Sequence, residues 1–301
     1  MHFSIIKALR RIWMRILCYP EKFRARIDGF TLILNMRDKG ISRSLYYDGT
    51  RERAFMSILQ RTVEQSTVCL DIGANIGYTS LYMLRHSAPD GFVYSIEPDP
   101  HNIALLEANI SANGYLSRCL ILQGAISDHN GEIDFWLADR PNVSGVEKNT
   151  SSVRKIQVKA YDFPSFMEGK RFPGFIKMDV EGHEVKILSS ALSYFASNAG
   201  AVDILLEVHP AYYGPGNDFE AVLLDYFRSG FSIRYVISTP VAQPTQFAEA
   251  GYVPVQIYET DGFERGIYEN ITNSDLLKFL RVGQGHNNSI KIIRALLISR
   301  P

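Results

Sequence analysis

Ionisable side chains gather where two apolar segments of the sequence end. Lys177, Asp179 and Glu181 follow the first segment, and Glu207 and His209 close the second. Burial of such groups is costly unless they pair with one another or take part in chemistry. The candidate catalytic residues are therefore His209, Asp179, Lys177 and Glu181. His209 is the first candidate for a general base, because an unperturbed imidazole has a pKa of roughly 6.5.

The same cluster allows other roles. Asp179, Glu207 and His209 offer carboxylate and imidazole donors that suit Mg²⁺ or Mn²⁺, although a site without metal is favoured. Lys177 is expected either to pair with Asp179 and position it, or to polarise a substrate oxygen. Glu184 is expected to face solvent on the helix that follows.

A glycine turn follows an earlier apolar strand, in the sequence VCLDIGANIG at 68–77. Gly73 and Gly77 allow backbone conformations and close approaches that a Cβ would obstruct. A dinucleotide site would read GxGxxG and face a pyrophosphate, whereas here Asn75 replaces the central glycine and Asp71 would face an anion unfavourably. The turn therefore predicts a cationic ligand that carries an amino group.

A second acidic position closes the next strand, twenty residues after that turn. Glu97, followed by Pro98, is placed to accept hydrogen bonds from both hydroxyls of a ribose. Glu97 could also simply begin a turn, with Asp99 capping the next helix. Gln123 and Ala125, at the end of the third strand, are placed to flank an adenine ring.

Alternating strands and helices would position these residues. Such alternation predicts a doubly wound α/β domain with a mostly parallel sheet and a ligand at the carboxyl ends of the strands. The predicted helices are 51–64, 77–86, 100–112, 183–197 and 218–229. The predicted strands are 67–72, 92–97, 119–123, 132–137, 174–179, 202–208, 231–237 and 292–299. Residues 139–150 are interpreted as a loop.

The amino-acid composition limits which partners and cellular compartments are expected. The 301 residues contain 32 basic and 32 acidic side chains, and this balance argues against a nucleic-acid partner. Three widely spaced cysteines favour a reducing, cytoplasmic compartment. No apolar stretch reaches the roughly 20 residues needed to cross a bilayer.

The N-terminal region, 1–50, is predicted to be a basic amphipathic helix followed by a β-hairpin, ahead of a main domain at 51–301. Residues 1–26 hold seven basic side chains and one acidic. The helix at 1–20 either packs on the main domain or makes peripheral contact with an anionic membrane surface. Within the main domain, 240–290 is predicted to be irregular and to supply substrate-binding elements.

Taken in order, these motifs resemble those of the FkbM-type S-adenosylmethionine-dependent methyltransferases. The resemblance covers residues 52–238, with Met178 and His183 as modest departures. It implies a class I methyltransferase fold with strand order 3-2-1-4-5-7-6 and an antiparallel seventh strand. It also implies S-adenosylmethionine as cofactor. The matching positions are Asp71–Gly77, Glu97-Pro98 with Asn102, Ala125–Asp128 with Gly131, Lys177–Gly182 with Glu184, and Glu207–His209.

The resemblance further implies methyl transfer to a hydroxyl oxygen of a small-molecule or glycan substrate, such as a sugar, a glycolipid or a polyketide-like natural product. The missing Asn/Asp-Pro-Pro-aromatic motif disfavours nucleobase methylation. Two alternatives stay open. One is a non-catalytic module that keeps the cofactor fold and recruits a partner or membrane. The other, less favoured, is a nicotinamide-dependent oxidoreductase, which would need the absent GxGxxG turn.

Overall fold

The computed structural model describes residues 2–138, 144–148, 150–260, 262–281 and 292–301. Along the chain the elements are α1 (His2–Ile16), β1 (Phe23–Ile27), β2 (Phe30–Leu34), α2 (Ile41–Asp48), α3 (Arg53–Val63), β3 (Val68–Ile72), α4 (Tyr78–His86), β4 (Phe92–Glu97), α5 (Pro100–Ala112), β5 (Cys119–Gln123), β6 (Ala125–Ser127), β7 (Gly131–Ala138), β8 (Ser152–Asp162), α6 (Phe163–Met167), β9 (Phe175–Met178), α7 (Glu184–Ser197), β10 (Val202–Glu207), α8 (Phe219–Arg228), β11 (Ser232–Ser238), α9 (Thr245–Glu249), β12 (Gln256–Thr260), β13 (Phe263–Glu269), α10 (Asn273–Arg281) and β14 (Ile293–Arg300).

The main sheet has nine strands in the order β12-β13-β11-β14-β10-β9-β3-β4-β5. β5, β4, β3, β9 and β10 pair in parallel, and β14 runs antiparallel to both β10 and β11. Counted from β3, this is the order 3-2-1-4-5-7-6 with an antiparallel seventh strand. The predicted class I methyltransferase architecture is therefore confirmed.

Helices cover both faces of this sheet. On one face α7 and α8 pack through residues such as Leu188 and Leu223. On the other, α3, α4 and α5 contribute Ile58, Leu81 and Leu106. Strands covered on both faces are mostly apolar, and all five residues of β3 are buried, including Asp71. The predicted doubly wound arrangement follows from this double burial.

A second sheet is formed by β6, β7 and β8, in which β8 lies between the other two. The sequence analysis placed a strand at 132–137 but none at 152–162. β8 was not predicted because its first half is mostly exposed and includes Arg154 and Lys155, so apolar alternation is confined to its second half. Of the loop predicted at 139–150, residues 139–143 and 149 lie outside the described residues.

The prediction that 240–290 is irregular was wrong for most of that segment. α9, β12, β13 and α10 lie within it, and the two strands extend the main sheet beyond β11. β12 is an edge strand whose side chains alternate between half-buried and exposed, so its sequence carries a weak pattern. Residues 261 and 282–291 lie outside the described residues.

The N-terminal region contains the predicted helix and hairpin. β1 and β2 pair around a turn at Asp28 and Gly29, both of which have positive φ, as a two-residue hairpin turn requires. α1 packs against α2. Across the described residues, every helix falls short of the length and apolarity that a membrane-spanning segment needs.

Candidate functional site

A cleft opens at the carboxyl ends of β3, β4 and β9, where the doubly wound fold places its ligand. Its empty volume, which includes space open to solvent, is about 940 Å³. Its lining includes Gly73, Asn75, Glu97, Pro98, Ala125, Lys177, Asp179 and Glu181. Most of the predicted site residues therefore come together in one cavity.

The glycine turn forms one edge of the cleft. Gly73, Asn75 and Gly77 all have positive φ, which a glycine adopts readily. A Cβ on Gly73 would lie 2.0 Å from the carbonyl oxygen of Asp179, so the turn and the loop after β9 touch at this point. Gly77 begins α4 against Leu106 and does not line the cleft.

Asp71 lies beneath the turn rather than in the cleft. It is fully buried, and its Oδ2 accepts hydrogen bonds from the hydroxyls of Thr79 and Ser80, each at 2.6 Å. Its Oδ1 lies 3.1 Å from the ammonium of Lys177. The carboxylate thus ties β3 to α4 and β9 and does not line the cleft, and a role of Asp71 in cofactor binding stays a prediction.

Lys177 also binds to the glycine turn and to the carboxylate beneath it. Its ammonium pairs with Asp71, not with Asp179 as the sequence suggested, and donates to the carbonyl oxygen of Gly73 at 2.7 Å. Burial alone would lower the pKa of Lys177, but the charges of Asp71 and Asp179 outweigh it and raise the pKa. Lys177 is therefore a charged positioning residue at the floor of the cleft.

Glu97 both lines the cleft and organises its backbone. Its Oε2 accepts from the backbone N–H of Asn75 at 2.8 Å, and its Oε1 accepts from the N–H of Asp99 at 2.9 Å and from Asn102 Nδ2 at 3.3 Å. Burial raises its pKa to about 7. Asp99 separately caps α5 by accepting from the N–H of His101. Cap and ligand-facing carboxylate are thus two different residues.

At the end of β5, the residues that line the cleft begin one position later than predicted. Gln123 is exposed and does not line the cleft, whereas Gly124, Ala125 and Ile126 do. The chain turns inward at Gly124, where a Cβ would lie 2.9 Å from the carbonyl oxygen of Lys159. This close approach moves the cleft wall from Gln123 to the residues that follow it.

His209 lies at the centre of four carboxylates. Its Nδ1 is 2.6 Å from Glu184 Oε1, and its Nε2 is 3.2 Å from Glu207 Oε1. The same Nε2 lies 3.6 Å from Glu181 Oε2 and 3.8 Å from Asp179 Oδ1. The predicted cluster is therefore real, and the imidazole joins its members.

The protonation states change the roles predicted for this cluster. Burial alone would lower the pKa of His209, but the charges of Glu184 and Glu207 and their hydrogen bonds raise it well above the usual imidazole range. Burial, and then the charge of Glu207, raise the pKa of Asp179 to about 6. Burial raises the pKa of Glu181 to about 8. At neutral pH His209 holds its proton and Asp179 is ionised, so the original reason for choosing His209 as the base fails.

Glu184 does not face solvent as expected. It is fully buried and accepts from the hydroxyl of Tyr213 at 3.0 Å and from the N–H of Gly182 at 3.1 Å, besides its contact with His209. The sequence analysis also missed Arg294, which forms a close ion pair with Glu207. Arg294 comes from β14, and no local pattern links it to a strand end some ninety residues earlier.

The candidate metal ligands differ by one residue from prediction. Donor atoms of Asp179, Glu181 and His209 lie within 4.8 Å of one another, whereas Glu207 is paired with Arg294. Such donors suit a hard divalent cation. A cation would have to displace the proton of His209, whose pKa is raised well above its usual range. The geometry accommodates a cation without requiring one.

Fold and site together define a class I methyltransferase architecture, with a cleft at the strand ends and acidic side chains around it. Residues 71–233, more than half of the chain, match the methyltransferase FkbM domain family. The chain belongs to this family, as the motifs between Asp71 and His209 predict.

The chain is also similar to individual proteins. Methyltransferase sdnD of Sordaria araneosa is 35% identical over 128 residues, which are 41% of this chain and 46% of that protein. The 2-O-methyltransferase NoeI of Sinorhizobium fredii is 24% identical over 180 residues, 54% of this chain and 72% of NoeI. Methyltransferase FkbM of Methylobacillus flagellatus KT, a crystal structure, aligns at 15% identity and a TM-score of 0.38, over 69% of this chain and 44% of that one. The matched part of this chain thus covers less than half of the length of sdnD.

Proposed function

We propose that the protein is an S-adenosylmethionine-dependent methyltransferase that methylates a hydroxyl oxygen of a sugar, a glycolipid or a polyketide-like natural product. Family membership supports methyl transfer, and the name of NoeI supports oxygen as the acceptor. The observation that carries the proposal is geometric: Asp179 lines the cleft, and its Oδ1 lies 3.8 Å from Nε2 of the buried His209. This arrangement suits the removal of a proton from an alcohol.

The cleft fits S-adenosylmethionine on the chemistry of its lining. Glu97 offers carboxylate oxygens to ribose hydroxyls, as acidic residues do at this position in related folds. Gly124, Ala125 and Ile126 offer a small, apolar wall suited to an adenine ring. The glycine turn, whose Gly73 contacts the loop after β9, forms the edge of the cleft that we propose for the methionine portion. When bound, the cofactor supplies an electrophilic methyl group.

The residues around the cleft would prepare the acceptor hydroxyl. An alcohol is a weak nucleophile until a base takes its proton, and a positioned base typically contributes about 10²–10⁴-fold in rate. Asp179 is the proposed base, because it is ionised at neutral pH and about 29% of its side chain is accessible from the cleft. Its buried Oδ1 faces His209, whose charge holds the carboxylate in place.

The direct test is transfer of a labelled methyl group to pools of glycans, glycolipids and natural products, with tRNA as a comparison substrate. Labelled product is expected in the hydroxyl-bearing pools. Asp179→Asn should lower kcat by about 10²-fold or more while leaving the affinity for S-adenosylhomocysteine within a few fold. Labelling of tRNA alone would overturn the acceptor class, and an unchanged kcat would remove Asp179 as the base.

Calorimetry separates the proposal from its alternatives. S-adenosylmethionine and S-adenosylhomocysteine should bind, and NAD should not. NAD binding without either adenosyl ligand would favour an oxidoreductase and overturn the proposal. Adenosyl binding without turnover on any pool would favour a non-catalytic module.

A further inference from the structure

The N-terminal helix α1 docks on the protein through its basic side. Met14 is fully buried, Lys7 forms a close ion pair with Asp48, and Arg10 donates to the carbonyl oxygen of Tyr46 at 2.6 Å. These contacts join α1 to α2. A helix on a globular surface ordinarily buries its apolar stripe and exposes its charges, so this orientation is inverted.

The apolar side of α1 is left uncovered. Among the side chains of α1 that the structure describes, five large ones on this side are between 49% and 65% exposed. At about 100° per residue they fall within an arc of roughly 120° on the helix, a continuous stripe. We call this set the apolar stripe, and its members are Ile6, Leu9, Ile12, Trp13 and Ile16. A contiguous exposed patch of this kind marks an interaction surface.

Exposed basic side chains lie on α1 and in the segment that follows this helix. Arg15 on α1, Lys22 before β1, and Arg24 and Arg26 on β1 are all exposed. The single acidic residue among the first 26, Glu21, forms a close ion pair with Arg37. The N-terminal region that carries the apolar stripe is therefore basic, within a chain whose net charge is zero.

We propose that α1 binds the surface of an anionic phospholipid bilayer, with the apolar stripe at the boundary between headgroups and acyl chains. Large aliphatic side chains with a tryptophan, next to exposed arginine and lysine, are what such an interfacial helix requires. The positive charge of residues 1–26 decides against a second copy of this chain, since that would bring two basic regions together. Ile41, the first residue of α2, lines the cleft, so the bilayer lies one helix away from the site.

The experiment is flotation of the full-length protein with vesicles of phosphatidylcholine, with or without phosphatidylserine. Binding is expected to the anionic vesicles and to weaken as salt is raised. The Leu9→Gln/Ile16→Gln variant should lose binding at least tenfold. A matched control is Val253→Gln/Val255→Gln, which removes two equally exposed aliphatic side chains elsewhere and should bind as the wild type does. Arg24→Gln/Arg26→Gln should weaken binding by about fivefold for each charge removed.

A spectroscopic measurement tests the orientation of α1. The chain has two tryptophans, Trp13 and Trp136, so the Trp136→Phe variant reports on Trp13 alone. Its emission should shift to shorter wavelength with anionic vesicles and stay unchanged with neutral ones. Equal binding of the Leu9→Gln/Ile16→Gln variant, or equal binding to both vesicle types, would overturn the proposal. The proposal would also be overturned if the wild-type protein self-associated without binding vesicles and the Leu9→Gln/Ile16→Gln variant did not self-associate. None of these readouts depends on methyl transfer.

Discussion

The imidazole of His209 and the carboxylate of Glu184 form a buried ion pair, with Nδ1 and Oε1 2.6 Å apart. Glu184 is wholly inaccessible to solvent and His209 nearly so. Glu184 stands at the start of α7 and His209 just after β10, so the pair joins two elements at the base of the cleft. Removal of Glu184 would take away the carboxylate closest to His209 and leave the Nδ1–H of His209 and the hydroxyl of Tyr213 without their buried acceptor.

Glu184→Ala should therefore destabilise the protein strongly. Loss of one partner of a buried ion pair typically costs about 3–5 kcal/mol, most of it from the charge left behind. The measurement is urea unfolding at neutral pH. The control is Asp225→Ala, which removes an exposed ion pair with Arg228 and should change stability by no more than about 0.5 kcal/mol. Equal effects of the two variants would contradict a stabilising role for the buried pair.

The stability of the protein should fall as the pH rises through the neutral range. His209 has a folded pKa raised well above its unfolded value, so its contribution is fully present below about pH 6.5 and is lost as the pH rises through the folded pKa. Asp179 and Glu181, with pKa values raised to about 6 and about 8, change stability in the same direction.

His209→Gln should reduce that dependence. Urea unfolding of wild type and variant at a series of pH values from slightly acidic to alkaline would show a difference in stability that shrinks as the pH rises. A difference that stays constant over the whole series would mean that His209 is not held in its charged form.

The sequence predicted the central fold well because its signals are local. The limits predicted for α5 coincide with the structure, since Asp99 and Pro100 mark the helix start with a cap and a favoured first residue. β3 and β4 were found as apolar runs that end in acids. β8 was not predicted because its first half is mostly exposed and includes Arg154 and Lys155, so that it resembles a loop.

The roles of single side chains were harder to predict, because they depend on contacts between distant segments. The spacing singled out Asp71 but could not show that Lys177 and two hydroxyls occupy its oxygens. Glu184 was expected in solvent, and its burial depends on His209, which comes from another strand end. The protonation of His209 depends in turn on four carboxylates that only the folded chain brings together.

Gly73→Ala should disrupt the cleft. A Cβ there would lie 2.0 Å from the carbonyl oxygen of Asp179, and the backbone φ of +79° already disfavours any side chain. The turn would have to move away from the loop after β9. Calorimetry should show loss of S-adenosylhomocysteine binding, together with lower stability in urea.

The Gly114→Ala variant distinguishes the effect of the contact with Asp179 from the effect of the positive backbone φ. Gly114 has a similar φ of +76°, but no atom lies within 4 Å of the position of its Cβ. The Gly114→Ala variant should lose only the roughly 1–2 kcal/mol of folding stability that a non-glycine residue in the left-handed conformation costs. Its affinity for S-adenosylhomocysteine should stay unchanged. Loss of binding in both variants would attribute the effect to backbone strain rather than to the contact with Asp179.

Cofactor affinity should depend on the ionisation of Glu97. Its pKa is raised to about 7 by burial, and a carboxylate accepts ribose hydrogen bonds better than a neutral carboxyl group does. The affinity for S-adenosylhomocysteine should therefore fall as the pH drops through about 7, by up to about tenfold for each further pH unit. Glu97→Gln should bind weakly at every pH, with a flat profile, when both proteins are titrated by calorimetry across this range. A wild-type profile that is itself flat would show that the ligand does not distinguish the two forms of Glu97, and a sloping profile in Glu97→Gln would assign the pH dependence to another group, such as Asp179.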